Sequence, residues 1–294
     1  MLQVKLLVRL LRPHQWLKNG FVLIGLLFSH AWRDPTHIGE ALYAFAIFCL
    51  LASAVYVMND LVDRDQDRKH PAKRHRPLAS GAIGVPKSLA LMMACFGGGF
   101  GLLMLSGNRA PWVFFTYVAL NILYTLGLKH VVILDVFIIA AGFMLRILAG
   151  TLGIGIDPSQ WLLLCGLMLT LFLGFAKRRS EISVLDERDA VAHRRVLEDY
   201  SLKLLDQLMT VTVAGTIVSY SLYTVSAETV TLHGTTHLIY TVPVVIYGMF
   251  RYLFLLHRRG GGGDPAQQLL ADAHLLAALL IWLALVLAIL RQGL

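Results

Sequence analysis

The sequence predicts an all-α fold, a polytopic membrane bundle of about nine transmembrane helices around a central cavity, on three observations. First, 57% of its 294 residues are hydrophobic and only 15% charged, with a mean hydropathy of +0.66. An average soluble domain has about 45–50% apolar and about 25% charged residues, so lipid must cover the apolar excess. Second, apolar runs of spanning length recur along the whole chain between turn signals. Third, Lys and Arg collect in alternate connections.

A spanning helix needs ~20 mostly apolar residues. Nine segments qualify, at roughly 16–32, 39–59, 86–106, 111–128, 132–154, 160–177, 207–226, 237–256 and 268–290. The first and sixth are short. Asp34-Pro35, Ser106-Gly107-Asn108, Asp157-Pro158 and the run Gly260 to Gly263 separate them. A basic N-terminus before an apolar run can be a signal peptide. Here the basic region from Arg12 to Asn19 is long and no small-x-small cleavage site follows, so the first run reads as a retained span. The whole chain, 1–294, reads as one membrane-embedded domain. Long loops at 60–85 and 178–206 lie four spans apart, the layout of two related four-helix halves.

With the N-terminus in the cytoplasm, 22 of the 26 Lys and Arg residues fall on the cytoplasmic side. The far side keeps Arg33, Arg109 and Arg291, and Arg146 lies within a span. This follows the positive-inside rule and predicts a multi-pass protein of the cell's inner (plasma) membrane. The net charge of +8 then reports basic loops facing anionic membrane lipids, and no nucleic-acid partner is expected. Cys49, Cys95 and Cys165 sit in apolar runs without disulfide or metal spacing.

Four constellations carry chemistry. In the first, Asn59, Asp63 and Asp67 lie at i, i+4 and i+8, with Asp60 beside them. A helix continuing past the membrane edge puts them on one face. Carboxylates this close repel without a cation, and hard oxygen donors suit Mg²⁺ completed by phosphate oxygens. Lys73, Arg74 and Arg76 follow and can take remaining phosphate charge. The plainer alternative is a solvated loop with helical ion pairs.

The second constellation is Lys177-Arg178-Arg179-Ser180-Glu181. It reads either as interfacial anchoring with a Lys177–Glu181 helix pair, or as a phosphate clamp of Lys177 and Arg178 with Glu181 binding metal or a hydroxyl. Arg194, Arg195 and Tyr200 extend it. The third runs from Tyr124 through Lys129 to Asp135, with Arg146 eleven residues farther on the same helix face. An arginine inside a span usually faces a polar cavity or partner, so Arg146 is expected to face the central cavity. The fourth is Arg12, Lys18 and Asn19 at the mouth of the first span, which either anchor at the interface with Trp16 or reach a diphosphate. No Gly-rich nucleotide loop, Ser-His-Asp order or zinc spacing is visible.

Asn-x-x-x-Asp-x-x-x-Asp after the second of nine spans resembles the first aspartate motif of the UbiA-type intramembrane prenyltransferases, and Tyr124, Lys129 and Asp135 match their Tyr…Lys…Asp-Val segment. One departure matters. Most members using isoprenyl diphosphate carry a second Asp-x-x-x-Asp motif after the sixth span, whereas this chain reads Lys-Arg-Arg-Ser-Glu, and Asp186 and Asp189 have the wrong spacing. Together with Arg-Pro-x-Gln-Trp-x-Lys-Asn, this is similar to the decaprenyl-phosphate phosphoribosyltransferase branch.

That resemblance implies transfer of 5-phosphoribose from 5-phosphoribosyl 1-diphosphate to a polyprenyl phosphate lipid, supplying a lipid-linked pentose for cell-envelope synthesis. It implies Asp63 and Asp67 as catalytic residues, and Asn59, Asp60, Asp63 and Asp67 as ligands of a Mg²⁺ cofactor. Lys18, Asn19, Lys73, Arg76, Tyr124, Lys129, Asp135, Arg146, Lys177, Arg178, Glu181 and Arg194 would bind substrate. Two alternatives stay open: a transferase of the same fold prenylating an aromatic quinone or haem precursor, and an anion transporter. A homo-oligomer is compatible with the sequence.

Overall fold

The structure is a computed structural model and describes residues 2–29, 31–69, 73–185, 199–258 and 271–292. Among them there is no strand. The chain forms two compact units, one of residues 1–129 with 145–157 and one of residues 130–144 with 158–294.

The first unit opens with a short amphipathic helix, α1 (Leu2–Leu11), which ends at Arg12 in the left-handed region, φ 53. A 3₁₀ segment, Pro13–Val22, and the short α2 (Leu23–Phe28) follow. Next comes α3 (Pro35–Val62), started by Asp34, whose side chain accepts from the Thr36 N–H at 2.8 Å, and by Pro35 in its first turn. It leads into α4 (Arg64–Lys69), and α5 (Val85–Leu105) and α6 (Trp112–Leu126) complete the set. The core gathers Val22, Ile47, Phe48, Leu51, Val113 and Phe114. Within this unit α3 is the central helix: 61% of its most apolar stretch is buried, against 22% for α5.

The helix α7 (Leu134–Ala149) belongs to both units by sequence, its first eleven residues to the second and the rest to the first. Its end sets a close crossing in the first unit. A Cβ on Gly150 would fall 1.7 Å from the Val22 carbonyl oxygen, and one on Gly25 would fall 2.4 Å from the Gly150 oxygen. Only glycine lets the two backbones touch there.

The second unit contains α8 (Gln160–Leu185), α9 (Leu202–Val225), α10 (Ala227–His233), α11 (Val242–Arg258) and α12 (Ala273–Gln292). Ser201 caps α9 by accepting from the Leu204 N–H at 3.1 Å. α8 and α9 pack extensively, and Phe172, Leu205, Met209, Tyr252 and Leu256 form the core with Val136 of α7.

Among the described residues seven helical stretches are long and apolar enough to cross a membrane, and α6, with 15 residues, is a shorter apolar helix. Large apolar side chains such as Leu105, Leu126 and Val211 are exposed, as a lipid-facing surface requires. The protein is an integral multi-pass membrane protein. The expected count of nine is therefore approximate. The stretch at 16–32 folds as a 3₁₀ segment, a turn and six residues of α-helix, and the stretch at 160–177 continues to Leu185.

Candidate active site

In the first unit the acidic motif keeps its helical phase across the end of α3. The Asp63 N–H donates to the Asn59 carbonyl at 2.9 Å and the Asp67 N–H donates to the Asp63 carbonyl at 2.8 Å. The i, i+4, i+8 spacing thus places Asn59, Asp63 and Asp67 on one continuous turn ladder.

Each carboxylate already holds a cation. Asp60 is 3% exposed and accepts from Arg12 Nη2 at 2.5 Å and Arg76 Nη1 at 3.1 Å. The same Arg76 nitrogen donates to Asp67 Oδ2 at 2.6 Å, so one guanidinium ties two carboxylates that are seven residues apart in sequence. Lys129, itself buried, donates to Asp63 Oδ1 at 2.7 Å. Thr125 donates to the Asn59 side-chain oxygen. Arg12 also lies over the Tyr56 ring, 5.1 Å from its centroid. The Arg64 Nε, next to Asp63, is buried without a hydrogen-bond partner among the described residues.

The expected four-residue Mg²⁺ cage is not drawn together. Among the described residues no three His, Cys, Asp or Glu side chains converge to hold a metal. The physical reason is local: Arg12, Arg76 and Lys129 relieve the carboxylate repulsion that a metal would otherwise relieve. The donor set still suits Mg²⁺, because Asn59, Asp63 and Asp67 supply hard oxygens in one helical phase.

Deeper in the same unit Arg146 is 5% exposed. Its Nε donates to Asn19 Oδ1 at 2.8 Å and its Nη2 to the Tyr117 hydroxyl at 3.1 Å. The Phe48 and Tyr117 rings lie 5.1 and 4.8 Å from its guanidinium, a cation–π setting. Asn19, expected at a diphosphate, is 1% exposed and is held by Arg146 and, through its Nδ2, by Cys49 Sγ at 3.3 Å. It acts as a packing partner of Arg146, since a buried guanidinium requires acceptors.

In the second unit Asp135 and Arg178 are both fully buried. Arg178 Nε donates to Asp135 Oδ2 at 2.6 Å and its Nη1 donates to Glu181. The Tyr200 hydroxyl donates to Asp135 Oδ1 at 2.8 Å and accepts from the Ile133 N–H at 2.6 Å. Burial and then the bond to Asp135 hold the Tyr200 phenol above its usual range, so it stays a donor. Ile133 has φ 68, an outlier for a β-branched residue, and the Tyr200 hydroxyl fixes it.

This geometry revises the phosphate-clamp expectation for Arg178, whose guanidinium faces two carboxylates with no exposed surface. Glu181 pairs with Arg178 at i, i+3. Lys18, Lys73, Tyr124 and Lys177 are half-buried. Arg194 and Arg195, like His70 to Ala72, lie outside the described residues. Sequence reasoning missed Thr125 and Tyr117. Thr125 adjoins Tyr124 in a segment already singled out, whereas Tyr117 carries no signal in an apolar helix.

The UbiA prenyltransferase family matches residues 20–270. The chain is 35% identical over 282 residues to a decaprenyl-phosphate phosphoribosyltransferase of Corynebacterium glutamicum, covering 94% of this chain and 84% of that protein. It is 31% identical to the protein of the same name from Mycolicibacterium smegmatis, covering 94% and 90%. The fold resembles that of a UbiA homolog from Archaeoglobus fulgidus bound to GPP and Mg²⁺, with a TM-score of 0.70, 17% identity and 97% and 99% coverage.

Proposed function

The chain belongs to the UbiA prenyltransferase family, and on that footing we propose that it transfers 5-phosphoribose from 5-phosphoribosyl 1-diphosphate to a polyprenyl phosphate, releasing diphosphate. The observation that carries this reading is its similarity, along nearly its whole length, to proteins named decaprenyl-phosphate phosphoribosyltransferase. The lipid product would serve as a pentose donor for cell-envelope synthesis. The chain acts as one transferase domain, 1–294, in the inner (plasma) membrane with its N-terminus and acidic motif cytoplasmic. The segregation of 22 of 26 Lys and Arg residues supports that orientation.

The residues suit the reaction. An oxygen of the acceptor phosphate, already anionic at neutral pH, attacks the anomeric carbon, and the bond from that carbon to the diphosphate oxygen breaks. No proton has to be removed, so no general base is required. Catalysis is then positioning and electrostatics. Mg²⁺ held by Asp63 and Asp67, with Asn59 and Asp60 beside them, would stabilise the charge that develops on the leaving diphosphate. Arg12, Arg76 and Lys129 offer the cations that bind the remaining diphosphate charge, and the buried Arg64 N–H adds a donor. In the second unit, Arg178, Asp135 and Tyr200 form a buried frame, joined by Glu181, at the helix end that carries Lys177, a basic side chain suited to a phosphate.

A competition between donors tests this. Purified protein in lipid nanodiscs with Mg²⁺ is given polyprenyl phosphate and an aromatic acceptor, together with either labelled 5-phosphoribosyl 1-diphosphate or a labelled isoprenyl diphosphate. Label is expected in a phosphoribosyl lipid only. Label in a prenylated aromatic, and none from the sugar donor across several lipid lengths, overturns the proposal.

A further inference from the structure

Helix α1 stands outside the chemistry described so far, and its two faces differ. Leu6, Leu7, Leu10 and Leu11 turn inward against Val57, Leu78 and Ile83. The outward face carries two apolar residues a turn apart, Val4 and Val8, which are 64% and 47% exposed. Beside them, again a turn apart, lie exposed Lys5 and Arg9. Uncovered valines beside a basic row are the pattern of a helix lying at a membrane surface. Next to α1 is a cavity of about 370 Å³, mostly apolar, between Gln3 and Leu7 of α1, Ala82, Ile83 and Gly84 before α5, and Pro86 and Lys87 in its first turn. Its polar rim is Lys87, whose Nζ donates to Gln3 Oε1 at 3.4 Å.

We propose that this face, the outward side of α1 with Lys87 beside it, docks on the surface of the bilayer and binds anionic phospholipid headgroups. The protein is already embedded in that bilayer, so the partner is at hand. The arrangement is that of an interfacial amphipathic helix: apolar side chains enter the acyl boundary and basic ones stay at the phosphate level. Lys5, Arg9 and Lys87 supply the complementary charge. The neighbouring cavity, apolar in its walls and basic at its rim, accepts the upper part of one such lipid.

Docking also bears on the acidic motif through the chain itself. The Leu11 carbonyl at the end of α1 accepts from Ser53 Oγ at 2.9 Å, and Ser53 accepts from Trp16 Nε1 at 3.0 Å. The next residue, Arg12, turns through its left-handed conformation to reach Asp60. Lipid that seats α1 therefore fixes the point from which a cation of the acidic cluster starts.

Two measurements decide it, in nanodiscs of phosphatidylglycerol and phosphatidylcholine. For the first, a nitroxide is placed by Val8→Cys in a background carrying Cys49→Ala, Cys95→Ala and Cys165→Ala. Collision with oxygen should exceed collision with a water-soluble nickel chelate. For the second, lipids retained by the otherwise unaltered full chain and by a Lys5→Glu, Arg9→Glu, Lys87→Glu variant are identified by mass spectrometry. The variant should lose ~tenfold or more of its preference for phosphatidylglycerol. A nitroxide open to the nickel chelate overturns the proposal, as does dipolar broadening from a second copy's label, or unchanged phosphatidylglycerol retention in the variant. Depth and retention are both read without turnover, so they decide the docking face whatever reaction the protein catalyses.

Discussion

At the scale of single residues, the acidic motif is a set of carboxylates neutralised from three directions. Arg12 comes from the N-terminal segment, Arg76 from the loop after α4, and Lys129 from the turn after α6. Asp63→Ala and Asp67→Ala should each lower transfer by about 10²-fold or more, read as initial rate in the labelled-lipid assay. Arg178→Ala should act on folding. It leaves Asp135 charged and buried without its partner, at a cost of roughly 3–5 kcal/mol. Thermal unfolding of the purified variant checks this, and Asp135→Asn in the same chain should restore part of the loss. The phase of Asn59, Asp63 and Asp67 was legible because it is a local, periodic property. Their partners were not, because Lys129 and Asp63 meet across 66 residues and Arg146 and Asn19 across 127. Periodicity carries no information about such contacts. Arg178 misled for the same reason: beside a lysine at a helix end it reads as a phosphate ligand, and only the fold shows Asp135 against it.

At the scale of elements, apolar length reports the thickness of a membrane, not the type or end of a helix. The long runs of α3, α5 and α9 were therefore legible within a few residues. The run at 16–32 was not, since an apolar stretch does not distinguish a 3₁₀ segment from an α-helix. What shapes it is the backbone crossing at Gly25 and Gly150. Gly150→Ala should lower the unfolding temperature more than any exposed Gly→Ala change such as Gly101→Ala, whose Cβ would meet nothing within 4 Å. The start of α12 offers a pH test. Asp272 accepts from Arg251 at 2.8 and 3.2 Å and from the Leu275 N–H at 3.0 Å. Arg251 first, and the Leu275 N–H after it, lower its pKa to about 2. A depressed carboxylate pKa stabilises the fold above the unfolded value near 3.9. That contribution is lost as pH falls from about 4 towards 2. Hydrogen exchange at the first turn of α12 should accelerate across that window in the wild type, and should change little there in Asp272→Asn.

At the scale of the whole molecule, composition alone was enough to require lipid around the chain, because a hydrophobic fraction of 57% exceeds what a soluble core can cover. The two long loops, four spans apart, suggested two halves, and the chain does divide into two compact units. The boundary passes through α7, however, with Asp135 in one unit and Arg146 in the other. A count of apolar segments could not reveal a helix shared in that way. Both units carry buried charge, Asp60 and Arg146 in the first and Asp135 and Arg178 in the second. The most direct test of the proposed transfer is the stoichiometry of the reaction in Mg²⁺. Diphosphate release is followed alongside the mass of the lipid product when 5-phosphoribosyl 1-diphosphate and polyprenyl phosphate are supplied. One diphosphate for each phosphoribosyl lipid, with both lost in Asp63→Ala and Asp67→Ala, is the predicted result. Diphosphate released without a phosphoribosyl lipid, or full turnover surviving both substitutions, contradicts it.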